Sequence, residues 1–169
     1  MVATNWQTLI KSLSKTQPTT CKDWGLPQSI AIAGIYGYIG KLIYNAALEL
    51  GIEKVYGFDP GTMPSDFVTS DRLELLENAQ DFYDLDADLF HIATHPDVRE
   101  GVYRLIERDR HITIEKPMVH PSQPAECLRL KHAVKASRAS VYFDFVEVFN
   151  PRTFHILEIL TDFAQHHDF

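Results

Sequence analysis

Ser29–Gly40 reads SIAIAGIYGYIG. The apolar run Ile30 to Ala33 has the length and composition of a buried strand, and it stops at three glycines spaced three apart, Gly34, Gly37 and Gly40. Directly after them Ile39, Leu42, Ile43, Ala46, Ala47 and Leu50 recur at helical spacing, so the glycines sit where a strand hands over to an amphipathic helix. That junction has a physical use. Amides of a first helical turn lack intrahelical acceptors and lie at the positive end of the helix dipole, so they attract a pyrophosphate. Glycines there let the backbone turn sharply and approach the ligand closely. Gly34, Tyr36, Gly37, Tyr38, Ile39 and Gly40 are therefore the first candidate binding residues.

The spacing is G-x-x-G-x-x-G, which differs from the G-x-G-x-x-G of dinucleotide-binding turns. Three glycines at a strand end equally serve a tight turn and close helix packing, so the context carries the reading. A second apolar strand, Val55 to Phe58, follows the helix and ends in Asp59. An acid about 20 residues beyond the glycines is the expected partner of ribose hydroxyls. Strand, glycine turn, helix, strand and terminal acid together point to a nicotinamide dinucleotide. Asp59 would repel a 2′-phosphate, and no arginine stands near it before Arg72, which favours NAD over NADP. The alternative for Asp59 is a solvated turn residue in Asp-Pro-Gly.

With 169 residues the chain is long enough for a substantial core but short for a two-domain enzyme. It is 45% hydrophobic and 23% charged with a formal net charge of −7, and no basic run offsets that charge, which argues against a nucleic-acid partner. Cys21 and Cys127 are far apart and form no C-x-x-C pair, so neither a disulfide framework nor a zinc site is indicated. A reducing cytoplasmic setting is the default expectation. No segment has the pattern of a signal peptide, and no apolar run approaches a membrane span.

Along the chain, Trp6, Leu9, Ile10 and Leu13 suggest a short helix within an N-terminal extension, residues 1–28. Pro60, Gly61 and Pro64 mark a loop, and Leu73 to Asn78 are expected to form a short helix. Asp81, Asp84, Asp86 and Asp88 read as a solvated approach to a strand at Leu89 to Ala93. Val98, Val102, Leu105 and Ile106 mark a helix begun by Pro96-Asp97 and ended near Asp109, followed by a strand from His111 to Glu115. Cys127, Leu130 and Val134 share a helix face, Val141 to Phe145 reads as a strand, and residues 151–169 contain one more helix. Strands alternating with helices predict a doubly wound parallel α/β sheet, Rossmann-like, over residues 29–150. In such sheets ligands bind at the carboxyl ends of the strands, which gathers Gly34–Gly40, Asp59, Thr94, His95, Glu115 and Lys116 at one crevice.

The segment LFHIATHPD from Leu89, then a helix, then DRHITIEKPM from Asp109, resembles the N-terminal half of the Gfo/Idh/MocA oxidoreductases. Glu115-Lys116-Pro117 on the strand after such a helix is the most telling element. Phe145 to Pro151 is similar to the segment that leads into the family's substrate domain. The resemblance covers roughly Ile30 to Leu160. It implies nicotinamide-dependent oxidation of a hydroxyl on a sugar, a polyol or a related small molecule. The glycine loop would hold the pyrophosphate and Asp59 the adenosine ribose. Thr94 and His95 would line the dinucleotide, with Glu115 near the nicotinamide ribose. Lys116 would stand as the catalytic residue, buried between nicotinamide and substrate, where an ammonium stabilises charge on the reacting oxygen.

Several positions depart from the family pattern. The glycine loop has one residue more between its first two glycines than most members have. His95 and Arg99 stand where Pro and His are more common, and Val148 where Arg is common. The chain stops at Phe169, where the family's substrate domain would continue, so efficient turnover by these residues alone is not expected. A self-contained NAD-binding or interaction module without catalysis is the alternative. The glycine loop alone also resembles the start of dihydrodipicolinate reductases, which do not account for Glu-Lys-Pro. Apolar surface meant for a missing domain would favour a homo-oligomer. His91 is expected to be a satisfied sheet residue, and no role follows for His111, His120, His132, His155, His166 or His167. No metal site is expected.

Overall fold

The computed structural model describes residues 26–144. Six strands, β1 (Ser29–Ala33), β2 (Lys54–Phe58), β3 (Leu73–Leu76), β4 (Leu89–Ile92), β5 (His111–Glu115) and β6 (Ser140–Asp144), form one parallel sheet in the order β3-β2-β1-β4-β5-β6. Four helices connect them: α1 (Tyr38–Glu49), α2 (Ala79–Asp84), α3 (Val102–Glu107) and α4 (Pro124–Ala136). This is the Rossmann-like α/β architecture anticipated from the alternation of strands and helices.

The period of two along a strand explains why β1 is apolar throughout. Ile30 and Ile32 face one side and join Tyr44, Ala47 and Val55 under α1. Ala31 and Ala33 face the other and join Phe90, Ile92, Ile112 and Ile114 beneath α2, α3 and α4. Phe82 of α2 is fully buried there, edge-on to Tyr83 at 5.2 Å and to Phe90 at 5.7 Å between ring centroids. The start of β1 is fastened by Asp88. Its Oδ2 accepts from the amides of Gln28 and Ser29, each at 2.9 Å, and from the Ser29 hydroxyl at 3.1 Å.

The structure corrects four expectations about elements. Leu73–Leu76 is not a helix but the edge strand β3, with Leu73 opposite Val55 and Leu76 opposite Phe58. Leu and Glu favour helix locally, and pairing with β2 overrides that preference; Lys54 and Glu74 reinforce the pair across strands at 2.7 Å. The helix comes later: Asn78 Oδ1 accepts from the Asp81 amide at 2.9 Å and so caps α2, within the acidic run read as a solvated approach. Residues Pro96–Val98 form a separate 3₁₀ turn before α3, with the buried Arg99 at its C-terminal end. Finally, α1 buries Gly40, Tyr44 and Ala47, while Leu42 (48%) and Leu50 (57%) stay exposed, so the inner stripe is rotated from the one anticipated. The helices expected at Trp6–Leu13 and beyond Pro151, the segment Phe145–Pro151 with Val148, and His155, His166 and His167 lie outside the described residues.

Candidate functional site

The three glycines of the first turn do different work. Gly34 has φ +80°, and a Cβ on it would lie 2.9 Å from the Ala93 carbonyl oxygen and 3.3 Å from the Thr94 amide nitrogen. The turn after β1 therefore touches the end of β4. A Cβ on Gly40 would fall 2.1 Å from the Gly34 carbonyl oxygen, so this glycine lets α1 lie directly on the turn. Gly37 is different. It is exposed, starts α1 as its N-cap with no side-chain cap, and a Cβ there would meet only Gly34 oxygen at 3.2 Å. Tyr38, Ile39 and Gly40 begin the helix beside it, with Tyr38 78% exposed.

Asp59 stands just past β2 and is half-buried. Its Oδ2 accepts from the Tyr36 amide at 3.0 Å and its Oδ1 from the Gly61 amide at 2.9 Å. One carboxylate thus shapes the Asp-Pro-Gly turn and ties it to the glycine loop, and each oxygen keeps a further lone pair for a hydroxyl. Both readings of Asp59 from the sequence are compatible with this geometry. Phe67 backs the arrangement, edge-on to Tyr36 at 5.1 Å and stacked on Tyr44 at 5.4 Å. The nearby cations are engaged: Lys41 pairs with Asp66 at 3.3 Å, and Arg72 donates to the carbonyls of Leu48 and Ile52 at 3.3 and 3.1 Å.

Beyond β4 the Thr94 hydroxyl is buried and has no hydrogen-bond partner among the described residues. His95 is exposed; its Nδ1 accepts from the Asp97 amide at 3.4 Å and its ring lies 6.1 Å from that of His120. At the end of β5, Glu115 is 7% exposed, whereas Lys116 is exposed and is followed by the cis peptide bond to Pro117. The setting expected for Lys116 is one between nicotinamide and substrate, and its exposed side chain is free to take either partner. Glu115 is the last residue of β5 paired to β6, so the lysine projects past the sheet.

Three polar side chains are buried among the described residues, His91, Arg99 and Glu115, and all lie along β4 and β5 or just beyond β4. His91 is the satisfied sheet residue anticipated: its Nδ1 is 2.7 Å from the Thr113 hydroxyl, which itself donates to the Phe90 carbonyl at 3.3 Å. Its Nε2 lies 4.0 Å from Glu115 Oε1. Arg99, noted in the sequence only as a departure, donates to carbonyls at both strand ends. Burial pulls its pKa below the ordinary guanidinium value and the Glu115 carboxylate pushes it back; an arginine remains charged there. The sequence carries no distinct signal for it, since Arg99 stands among Glu100, Arg104, Glu107 and Arg108 in one charged and apolar mixture.

A cleft of about 310 Å³ opens away from the glycine loop, between the 3₁₀ turn, α3 and α4. In it the Tyr103 hydroxyl donates to Glu126 at 2.5 Å, and the Arg129 guanidinium lies over the Tyr103 ring at 4.4 Å. Nothing in the sequence foretells this cluster, because it depends on how α3 and α4 pack. His120 has a partner after all, the Ser122 hydroxyl at 2.6 Å. Among the described residues no three His, Cys, Asp or Glu side chains converge as metal ligands, and no helix is long and apolar enough to cross a membrane.

No protein-family model and no curated protein matches the sequence. Solved structures do. The WlbA dehydrogenase of Thermus thermophilus, in complex with NAD and UDP-GlcNAcA, matches at 24% identity over 79% of this chain and 47% of its own, with a TM-score of 0.64. Biliverdin reductase of Synechocystis, with biliverdin and NADP+, matches at 15% identity over 78% of this chain and 42% of its own, TM-score 0.65. GenD2 of gentamicin A biosynthesis, in complex with NAD, matches at 16% identity over 78% and 38%, TM-score 0.64. The chain spans less than half the length of each. The likeness shows the fold: the described residues form a Rossmann-like α/β domain similar to part of each of these oxidoreductases.

Proposed function

We propose that this chain is the nicotinamide-dinucleotide-binding domain of a Gfo/Idh/MocA-type oxidoreductase acting on a hydroxyl of a sugar, a polyol or a related small molecule. The observation that supports this best is the contact between the glycine turn after β1 and Thr94 after β4. It lies where the strand order reverses, β1 pairing with β2 on one side and β4 on the other. A sheet of this order binds dinucleotides at that switch point. The residues suit the group: Gly37 leaves the start of α1 uncovered, Asp59 keeps free lone pairs, and the buried Thr94 hydroxyl awaits a partner.

In this reading the first-turn amides at Tyr38–Gly40 hold the pyrophosphate, Gly37 leaves the approach to them uncovered while its own amide donates to the Gly34 carbonyl at 3.0 Å, and Asp59 accepts from the adenosine ribose. Thr94 and His95 line the dinucleotide, and Glu115 takes the nicotinamide ribose. The dinucleotide supplies the hydride acceptor when bound. Lys116 then donates a hydrogen bond to the substrate's reacting oxygen and stabilises the charge on it, for which its exposure at the end of β5 leaves it accessible. NAD is preferred to NADP, because Asp59 repels a 2′-phosphate and Lys41 and Arg72 are already engaged. WlbA and GenD2 hold NAD and the biliverdin reductase holds NADP+, so the neighbours share a nicotinamide dinucleotide and the preference for NAD rests on Asp59.

Calorimetric titration with NADH and NADPH tests it. The expected result is saturable NADH binding, about tenfold or more tighter than NADPH. Gly37→Asp, which puts a carboxylate at the mouth of the pyrophosphate site, should abolish it. No binding of either dinucleotide, or equal binding by the variant, would overturn the reading.

A further inference from the structure

Arg99 sits between the 3₁₀ turn and α3 with 7% of its surface exposed. Its Nε donates to the Thr94 carbonyl at 2.9 Å, and its Nη2 donates to the same oxygen. Nη1 reaches the carbonyls of Glu115 at 2.7 Å, Pro117 at 2.6 Å and Met118 at 3.4 Å. Glu115 and Pro117 are the neighbours of Lys116 on either side. One planar, permanently charged fork therefore joins the ends of two adjacent strands and holds the backbone flanking the lysine. Burying a guanidinium costs free energy, and carbonyls at strand ends can instead be satisfied by amides or water. What a fork adds is a fixed separation between two segments that share no ladder beyond Ile92 and Ile114. The adenosine side is held independently, by the Tyr36 amide on Asp59.

We infer that Arg99 is a positioning residue for the nicotinamide half of the crevice, fixing Thr94 and Lys116 relative to one another; this rests on the function proposed above. A lysine cannot replace it, since one ammonium concentrates its donors at a point and cannot span both sets of carbonyls.

The test compares NADH with ADP-ribose, which keeps the adenosine and pyrophosphate and lacks the nicotinamide, on wild type, Arg99→Lys and Arg99→Gln. Wild type binds both. In the variants NADH binding weakens about tenfold, while ADP-ribose binding stays within about twofold, because the lost charge-assisted bonds serve only one half of the site. A merely structural role would weaken both ligands alike, and that result in a folded variant overturns the inference, as does unchanged NADH binding. Failure of wild type to bind either ligand overturns the underlying functional reading instead. Should both variants unfold, the Arg99 Nε–H resonance of the wild-type protein decides: it shifts with NADH and not with ADP-ribose, and equal shifts with both overturn the inference.

Discussion

Gly34 and Gly37 are three residues apart and have opposite requirements. At Gly34 an added methyl meets the Ala93 carbonyl in a left-handed conformation, so Gly34→Ala should lower unfolding free energy by about 1–3 kcal/mol in urea titration. Gly37→Ala, with extended backbone and a Cβ 3.2 Å from the Gly34 carbonyl oxygen, needs only a few tenths of an ångström of give and should cost less, about 1 kcal/mol or under. The regular spacing of the glycines was readable as a strand-to-helix turn, but not this division of labour, because each glycine's neighbours come from β4 or from the turn's own backbone. Asp88 makes the same point. Its carboxyl is held below the usual range chiefly by the Ser29 amide, with the Ser29 hydroxyl and Gln28 amide adding to it. A carboxyl lowered in the folded state contributes stability that is complete above its unfolded value near about 3.9 and is lost as pH falls through the folded value. Asp88→Ala should therefore cost about 1–2 kcal/mol at neutral pH, a modest figure for an exposed site, and the gap to wild type should close in acid below about pH 4. A gap that does not narrow as pH falls below about 4 would contradict this.

Elements were legible where burial and local preference agree. β1, β4 and β5 carry the largely apolar, isoleucine-containing sequences that the centre of a parallel sheet requires. β3 is hidden in the sequence because Leu-Glu-Leu-Leu carries a helical preference that the neighbouring β2 overturns. The stripe of α1 was rotated for a related reason: Tyr44, a large residue with a polar tip, is the one that fills the space beneath the helix, stacked on Phe67. Tyr44→Ala should cost about 3–5 kcal/mol by thermal or urea unfolding, and Leu42→Ser within about 0.5 kcal/mol. A large penalty at Leu42 and none at Tyr44 would restore the stripe read from the sequence.

For the whole molecule, strand order decides which loops meet. Alternation of strands and helices foretold the parallel sheet, and the sheet then gathers the carboxyl ends of β1, β2, β4 and β5 on one side. The candidate residues Gly34–Gly40, Asp59, Thr94, Glu115 and Lys116 follow from those ends. What the sequence could not convey is how the ends are tied together: Asp59 to the Tyr36 amide, and Arg99 to carbonyls of Thr94, Glu115 and Pro117. Those bonds join segments far apart in the chain and leave no local pattern. The cleft at Tyr103, Glu126 and Arg129 is the competing location for a ligand on this molecule.

A crystal structure of the chain grown with NADH discriminates between the two most directly. The pyrophosphate is expected on the first turn of α1, the adenosine ribose against Asp59, and the nicotinamide reaching toward Thr94 and Lys116. Dinucleotide density in the Tyr103 cleft, or across the strand ends with no contact to Gly37–Gly40 or Asp59, would contradict this.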